Sequence, residues 1–580
     1  MGDDLTRFLQ ARDFLLGVES YEEAVKGFTW PTIERFNWAL DYFDAMAEGN
    51  DAPALIYADS DGTERSISFD EMRRRSNQVA NFLRAKGLER GDRVMIMMDV
   101  APEIAEIMLG IMKAGGAIIP AATLLSAQDV GDRITRGEVR FLFCHAPFVD
   151  RASRAGEALE GLRARICVSN TGGSCEGAGG WTAYDEVDRY GRDFEPSFPT
   201  EAGDDLFLFF TSGTTAQPKL VMHSHLYPVG HLTTMYWIGA RPGDIHYNIS
   251  APGWAKFAWS SFFGPWNAGA TLFMFRQPRF SAPEVLSMIE KYRVTSLCAP
   301  LSVWKLFLVE DLSRYDFALR TMVSAGEPLN PEIIRRAKEG TGVDLREGFG
   351  QTETTALIGT FPGMAPREGA IGLVAPGYRV AILDDELNEV PPGTDGQIAV
   401  ATEPVRPLGL LRGYDDERRN AEIFVGGWYL TGDTASMDED GFVHFVGRVD
   451  DVFKSLDYRI SPFEVESEII RHESVLEVAV IPSRDERDRL VPKAYVVLKE
   501  TFEPGREAAL ALFRFIRAGM APYKRPRMIE FLEEFPKTIS AKVKRKDLRA
   551  IDRETKASGK RGRWEFYETD FAGELDLGRR

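Results

Sequence analysis

Cysteine is scarce in this 580-residue chain. Cys144, Cys167, Cys175 and Cys298 show no Cys-x-x-Cys spacing, which argues against a zinc site and a disulfide framework. A reducing cytoplasm is then the simplest setting. A long hydrophobic run is missing too. The longest, "IMLGIMKAGGAIIP", is interrupted by Lys113 and the pair Gly115–Gly116 before Pro120, so it reads as a buried helix running into a strand rather than a membrane span. "MGDDLTRFLQ" has no basic region followed by an apolar core, so no signal peptide is expected. Positive charge is in deficit. Lys plus Arg number 70 against 88 Asp plus Glu, a formal net charge of −18, and a chain this acidic is a poor partner for a phosphate backbone, which excludes nucleic acid.

The remaining composition is that of a globular enzyme, 44% hydrophobic and 27% charged, and too long for one simple core. Residues up to about 50 are helical and amphipathic ("FNWALDYFDAMAEG"). Helical patterns then alternate with short strands, such as "RVMIMM" and "RARICVS", predicting βαβ units with parallel sheets. Strand-rich segments follow, "YRVAILD" and "DGQIAVAT". Near residue 448 the texture changes to a small α+β domain, with a helix begun by Ser461 as N-cap and Pro462 at its first position. The last 25 or so residues read as a surface tail.

No Walker A loop is present, yet "DLFLFFTSGTTAQPKL" (205–220) runs from a buried strand into hydroxyls, unhindered N–H groups and a cation: Thr211, Ser212, Gly213, Thr214, Thr215 and Lys219. Such a loop suits a polyphosphate, although a plain polar turn would read the same way. Four further segments are individually modest. "SAGEPLNPE" (324–332) ends a strand and starts a helix at Asn330. "REGFGQTETT" (346–355) places Glu353, a hard oxygen ligand suited to Mg²⁺, beside Gln351 and Thr352. "YLTGDTASMDEDGFVHFVGRVDD" (429–451) sets Asp433 in a turn, and "FPKTISAKVKRKDLR" (535–549) is a basic loop.

All five in this order resemble the adenylate-forming superfamily of acyl-CoA synthetases, peptide-synthetase adenylation domains and firefly-type luciferases. The segments "SAPGWAKFAWSSFFGPWNAGA" and "FNWALDYFD" are most similar to its medium-chain acyl-CoA synthetases. The resemblance implies an α/β architecture. A large N-terminal AMP-binding domain, 1–449, carries parallel-rich sheets and a β-rich subdomain, and a mobile α+β domain, 450–580, pivots near Asp450. It implies an ATP-dependent ligase, monomer or homodimer, that joins a carboxylic acid to coenzyme A through an acyl-adenylate, releasing pyrophosphate and then AMP.

Carried over residue by residue, the 211–219 loop covers the β- and γ-phosphates, and Thr352 and Glu353 meet phosphate and Mg²⁺. Gly326, Glu327 and Pro328, with Glu347, Gly348, Phe349, Gly350 and Gln351, form the adenine slot. Asp433 takes the ribose hydroxyls with Arg448 beside it, and Arg459 meets phosphate. Lys542 falls on the catalytic lysine position. It would stabilise the charge that builds as the carboxylate meets the α-phosphate. Asp457 and Tyr458 line the coenzyme A tunnel, with Tyr523 and Lys524 as further contacts.

The acyl pocket is expected around Trp254, Lys256 and Gly350, with Phe257 and Trp259 as further walls. Acetate-specific relatives carry tryptophan where Gly350 stands, so its absence predicts room for several carbons and medium-chain, branched or small aromatic acids. Lys256 is expected either buried with a lowered pKa or reaching to solvent. Two positions depart from the family: Asp457 and Ala541 stand where glycine is usual. Asp457 would thicken a tunnel wall, which leaves an acyl-AMP ligase for another acceptor as an alternative. A non-catalytic nucleotide sensor on the same fold is another.

Overall fold

The computed structural model describes residues 3–169, 175, 179–211, 218–449, 451–455, 458–486, 488–538 and 543–575. It is a mixed α/β protein of two compact units. The first comprises 1–380, 400–429 and 441–443, and the second 381–399, 430–440 and 444–580.

The first unit contains two large sheets. In the nine-stranded sheet, Leu345–Phe349, Thr321–Ala325, Ser296–Cys298, Ile245–Asn248, Thr271–Arg276 and Pro53–Asp59 lie side by side, all parallel, with antiparallel strands at the edges. Their runs are apolar because both faces are covered: Leu297, Met322, Val323 and Leu345 are buried. The eight-stranded sheet is parallel through Ala117–Pro120, Arg93–Met97, Val139–His145 and Ala164–Val168. Its strand Asp205–Thr211 is answered antiparallel by Lys219–Ser224. The "IMLGIMKAGGAIIP" segment is the expected buried helix, Pro102–Ala114, capped by Gly115 in the left-handed region (φ 80°) and running into Ala117–Pro120. "WALDYF" is helical as expected, but as a π-helical turn, Trp38–Phe43, that buries Trp38, Tyr42 and Phe43.

The second unit carries a four-stranded sheet built from Val475–Arg484, Leu490–Leu498, Met528–Phe531 and Glu565–Tyr567. Ser461 caps the helix Pro462–Ile469 by accepting the Glu464 N–H at 3.1 Å, and Pro462 opens it, as predicted. The expected C-terminal tail is instead structural. The strand Glu565–Tyr567 closes the sheet, and Phe571 and Leu575 sit in its core. Phe571 packs on Phe513 and Phe566, a signal masked in the sequence by the surrounding charge.

The cysteine reading also needs correction. Cys167 and Cys175 form a disulfide, with Cα atoms 5.9 Å apart. Their eight-residue separation belongs to no motif, so nothing local marks them as partners. Cysteine usage therefore does not argue for a reducing compartment. Among the described residues no helix is long and apolar enough to cross a membrane.

At the centre of the second unit's sheet, Lys493 is fully buried. It pairs with Glu530 at 2.6 Å, Glu565 at 2.7 Å and Asp552 at 2.8 Å, and lies 4.6 Å from the Tyr495 ring centre. Those carboxylates and the ring outweigh desolvation and hold the ammonium charged, its pKa raised. Removing one partner from such a buried network typically costs about 3–5 kcal/mol, because the others are left uncompensated. Lys493→Met is expected to destabilise the second unit by that order. Hydrogen exchange in strands 475–484 and 490–498 of the full chain checks it; unchanged protection would show the network to be dispensable.

Candidate functional site

The parallel strands of the nine-stranded sheet end together, and ligands of open α/β sheets bind beyond such carboxyl ends. Two neighbouring ends carry ten of the residues singled out from sequence, 326–328 and 347–353. After Thr321–Ala325 the chain turns through Gly326, Glu327 and Pro328. Gly326 has φ 106°, a conformation closed to most other residues. Asn330 then caps the helix Pro331–Thr341 by accepting the Glu332 N–H at 2.9 Å. The Leu329 N–H donates to the Glu347 carboxyl at 3.1 Å, tying this turn to the adjacent strand Leu345–Phe349.

Along that strand two glycines admit aromatic rings against the backbone. A Cβ on Gly348 would lie 2.3 Å from the Trp237 ring, and Trp237 donates its indole N–H to the Glu347 carbonyl at 3.1 Å. A Cβ on Gly350 would lie 2.4 Å from Trp259 and 2.3 Å from the Thr355 carbonyl oxygen. This corrects the pocket expectation. The volume beside Gly350 is not vacant, because Trp259 fills it.

Beyond Gly350, each residue of the Gln-Thr-Glu run has its own anchor. Tyr429 donates to the Gln351 side-chain oxygen at 2.9 Å. His223 lies 2.7 Å from the Thr352 carbonyl through Nε2; a carbonyl only accepts, so that nitrogen carries the proton. Burial lowers the His223 pKa to about 4, so the ring stays neutral, and it stacks on Tyr227 at 4.0 Å. Tyr414 donates to one Glu353 carboxylate oxygen at 2.7 Å. The Lys219 ammonium sits 5.2 Å from the centre of the same Tyr414 ring. Lys219 is paired in register with Thr211 across the mouth of the 211–219 loop, so this loop joins two antiparallel strands rather than a strand and a helix. None of His223, Tyr414 and Tyr429 was singled out from sequence. The only local trace is polar residues in an otherwise apolar strand ("LVMHSH") and an aromatic after glycine ("RGY").

Lys256 is neither isolated in the core nor simply solvated. Its ammonium donates to the Ala325 carbonyl at 3.0 Å, immediately before Gly326. Trp254, Phe257 and Ala258 of the same segment line a small apolar cavity of about 10 Å³ with Ile96, Ile104, Met108 and Phe207.

In the second unit, Asp433 is buried. Its N–H donates to Thr431 Oγ1 at 3.1 Å, and one carboxylate oxygen lies 3.6 Å from the exposed Arg448. Arg448 thus stands beside Asp433. Tyr523 is exposed, and Lys524 pairs with Glu464. Ser212, Gly213, Thr214, Thr215, Asp450, Asp457 and Lys542 lie outside the described residues, as do the side chains of Tyr458 and Arg459.

The sequence profile of the AMP-binding enzyme family matches residues 42–414, and that of the AMP-binding enzyme C-terminal domain matches residues 464–542. The chain belongs to the AMP-binding enzyme family. Among curated members, 4-hydroxybutyrate–CoA ligase 1 of Metallosphaera sedula is 39% identical over 555 residues, covering 94% of this chain and 96% of that one. The mitochondrial acyl-coenzyme A synthetase ACSM3 of Mus musculus is 36% identical over 543 residues, covering 91% and 93%. Among solved members, the anthranilate CoA ligase AuaEII in complex with anthranoyl-AMP superposes with a TM-score of 0.82 at 28% identity, covering 90% of this chain and 98% of that one. A benzoate CoA ligase from Burkholderia xenovorans LB400 gives 0.77 at 26%, covering 89% and 100%. The resemblance to adenylate-forming enzymes near the medium-chain acyl-CoA synthetases is thus borne out.

Glu347 has a consequence that can be measured. Burial pushes its carboxyl up to about 8, so the folded protein keeps a proton that the unfolded chain releases near the ordinary carboxylate pKa. Between those values stability falls as pH rises, by about 1.4 kcal/mol per pH unit from this group. The contribution is full at the acid end and lost as pH passes 8. Glu347→Gln is expected to flatten that slope between pH 6 and 8, measured as the difference in unfolding free energy between variant and parent. Parallel slopes would mean that the carboxyl is ionised in the fold.

Proposed function

We propose that the protein is an AMP-forming acyl-CoA synthetase: carboxylic acid, ATP and coenzyme A are converted to acyl-CoA, AMP and pyrophosphate. The observation that carries this reading is the Gln351–Glu353 run. It is anchored residue by residue at a strand end, with Glu353 and the phosphate-loop cation Lys219 sharing Tyr414.

In the first half-reaction a carboxylate oxygen attacks the α-phosphorus, and the bond to the bridging oxygen breaks so that pyrophosphate leaves. Thr211, Ser212, Gly213, Thr214, Thr215 and Lys219 hold the departing phosphates, and Thr352 meets the phosphate chain. Gly326–Pro328 and the strand end 347–351 receive adenine, and Asp433 accepts from the ribose hydroxyls with Arg448 alongside. Glu353 suits Mg²⁺. One of its oxygens takes the Tyr414 hydroxyl, and the carboxylate would hold the ion together with phosphates and water, the usual way this ion is bound. When bound, Mg²⁺ would neutralise phosphate charge. Lys542 places a cation where negative charge grows. In the second half-reaction the coenzyme A thiol attacks the acyl carbonyl and AMP leaves, after rotation of a C-terminal domain, 450–580, about Asp450. Asp457, Tyr458, Tyr523 and Lys524 are assigned to the coenzyme, and Arg459 to phosphate. The acid is monocarboxylic and apolar, medium-chain, branched or small aromatic, since Trp254 and Phe257 give the neighbouring cavity no ionisable lining.

Acid-dependent exchange of pyrophosphate into ATP, and AMP release with and without coenzyme A across a panel of acids, test this directly. Exchange without coenzyme-A-dependent turnover would reassign the enzyme to another acceptor. No acid-dependent exchange at all would leave a nucleotide-binding protein. Lys542→Ala is expected to slow exchange about 100- to 1,000-fold, the usual loss for one transition-state donor. Thioester formation from supplied acyl-AMP should be spared. Equal loss in both half-reactions would contradict the two-position role of the C-terminal domain.

A further inference from the structure

We propose that Tyr414 is a positioning residue for metal and phosphate together: its hydroxyl fixes the Glu353 carboxylate, and its ring seats the Lys219 ammonium. The inference rests on the ligase reading above and assigns the residue that joins the two halves of its phosphate site. Tyr414 is buried. Its hydroxyl donates to one Glu353 carboxylate oxygen at 2.7 Å, across 61 residues of chain. The Lys219 ammonium lies 5.2 Å from the centre of the same ring and the Arg419 guanidinium 5.5 Å. A cation within about 6 Å of an aromatic ring centre is drawn to its face by the ring quadrupole.

The backbone around Tyr414 is stitched to both groups that it serves. Tyr414 pairs antiparallel with Val221, on the strand Lys219–Ser224 that leaves the phosphate loop. The flanking Arg412 N–H donates to the Met222 carbonyl at 2.7 Å, and the Asp415 N–H to the Leu220 carbonyl at 3.3 Å. On the other side the Leu411 N–H donates to the Glu353 carbonyl at 2.8 Å. Asn420, on the helix Glu417–Ile423, closes the segment by accepting the Tyr414 N–H at 2.7 Å and donating to the Tyr414 carbonyl at 3.0 Å. Segment 411–415 thus grips Glu353 by backbone and carboxylate while it is laced to the strand that begins at Lys219. Fixing the carboxylate before a cation arrives removes a side-chain ordering cost from binding. A phenol does this without charge, whereas a lysine or arginine in its place would neutralise the carboxylate and compete with the cation.

The test measures ATP affinity of the full chain by calorimetry, in EDTA and in Mg²⁺; the ratio of the two dissociation constants is the gain due to the metal. Tyr414→Phe keeps the ring and is expected to cut that gain about tenfold or more, the usual weight of a hydrogen bond to a charged group, while affinity in EDTA holds. Tyr414→Leu loses the ring as well and is expected also to weaken ATP in EDTA, by about two- to fivefold. Glu353→Gln is expected to remove the metal gain, and adding Tyr414→Phe to it should change nothing further, a dependence that a merely structural tyrosine would not show. Should Tyr414→Leu fail to fold, Tyr414→Phe and the double variant still decide the assignment. The proposal is overturned if the parent shows no metal gain, if Tyr414→Phe keeps the parent's gain or weakens ATP equally in both media, if the two substitutions add, or if a folded Tyr414→Leu binds ATP in EDTA as the parent does. A parent with the metal gain but without acid-dependent pyrophosphate exchange would instead refute the ligase reading itself.

Discussion

The site depends on how one strand end is held. Leu345–Phe349 delivers the backbone of 350–353 to the carboxyl edge of the sheet, and side chains from four separate segments fasten it there: Tyr227 through Trp259, His223, Tyr414 and Tyr429. Glycine at 348 and 350 is what lets Trp237 and Trp259 press directly on the strand; a Cβ at either position would overlap a ring. The anchors use neutral hydroxyl and imidazole donors. Rigidity is therefore obtained without adding fixed charge beside the Glu353 carboxylate.

The buried charge behind the strand end is satisfied differently from that at the centre of the second unit. Behind the strand end, Arg346 is buried among neutral oxygen partners. It donates to the Trp237, Ile238 and Thr360 carbonyls and to Thr321 Oγ1, and burial lowers its pKa to about 9. Two of those carbonyls close the helix Leu232–Ile238, where a cation is favoured by the helix dipole. Glu347, next in sequence, is kept protonated by burial. The second unit instead satisfies Lys493 with three carboxylates. In both units the buried ionisable group pins neighbouring elements, because leaving it unpartnered would cost more than the pairing contributes.

Local patterns carried much of the architecture. Ser461 with Pro462 and Asn330 with Pro331 begin helices because their side chains satisfy N–H groups within three residues, a purely local transaction. The run "IMLGIMKAGGAIIP" splits at Gly115 because only a left-handed residue ends the helix there. The order of five short motifs was enough to identify the family. What stayed hidden depends on contacts distant in the chain. The disulfide and the closing strand Glu565–Tyr567 were missed because nothing local marks their partners.

The sequence by itself determined the parallel α/β class, the helix starts and the family motifs that hold Glu353 and Asp433, since these follow from residue type, spacing and motif order. Tertiary structure alone decided what surrounds them. His223 lies 129 residues from the carbonyl it meets, and Tyr414 lies 61 from the carboxylate it serves. No periodicity or spacing rule reaches so far. The glycine at 350 implied space when read along the chain. Packing filled that space with Trp259 from another segment, because a backbone without Cβ is where a buried ring finds its closest approach.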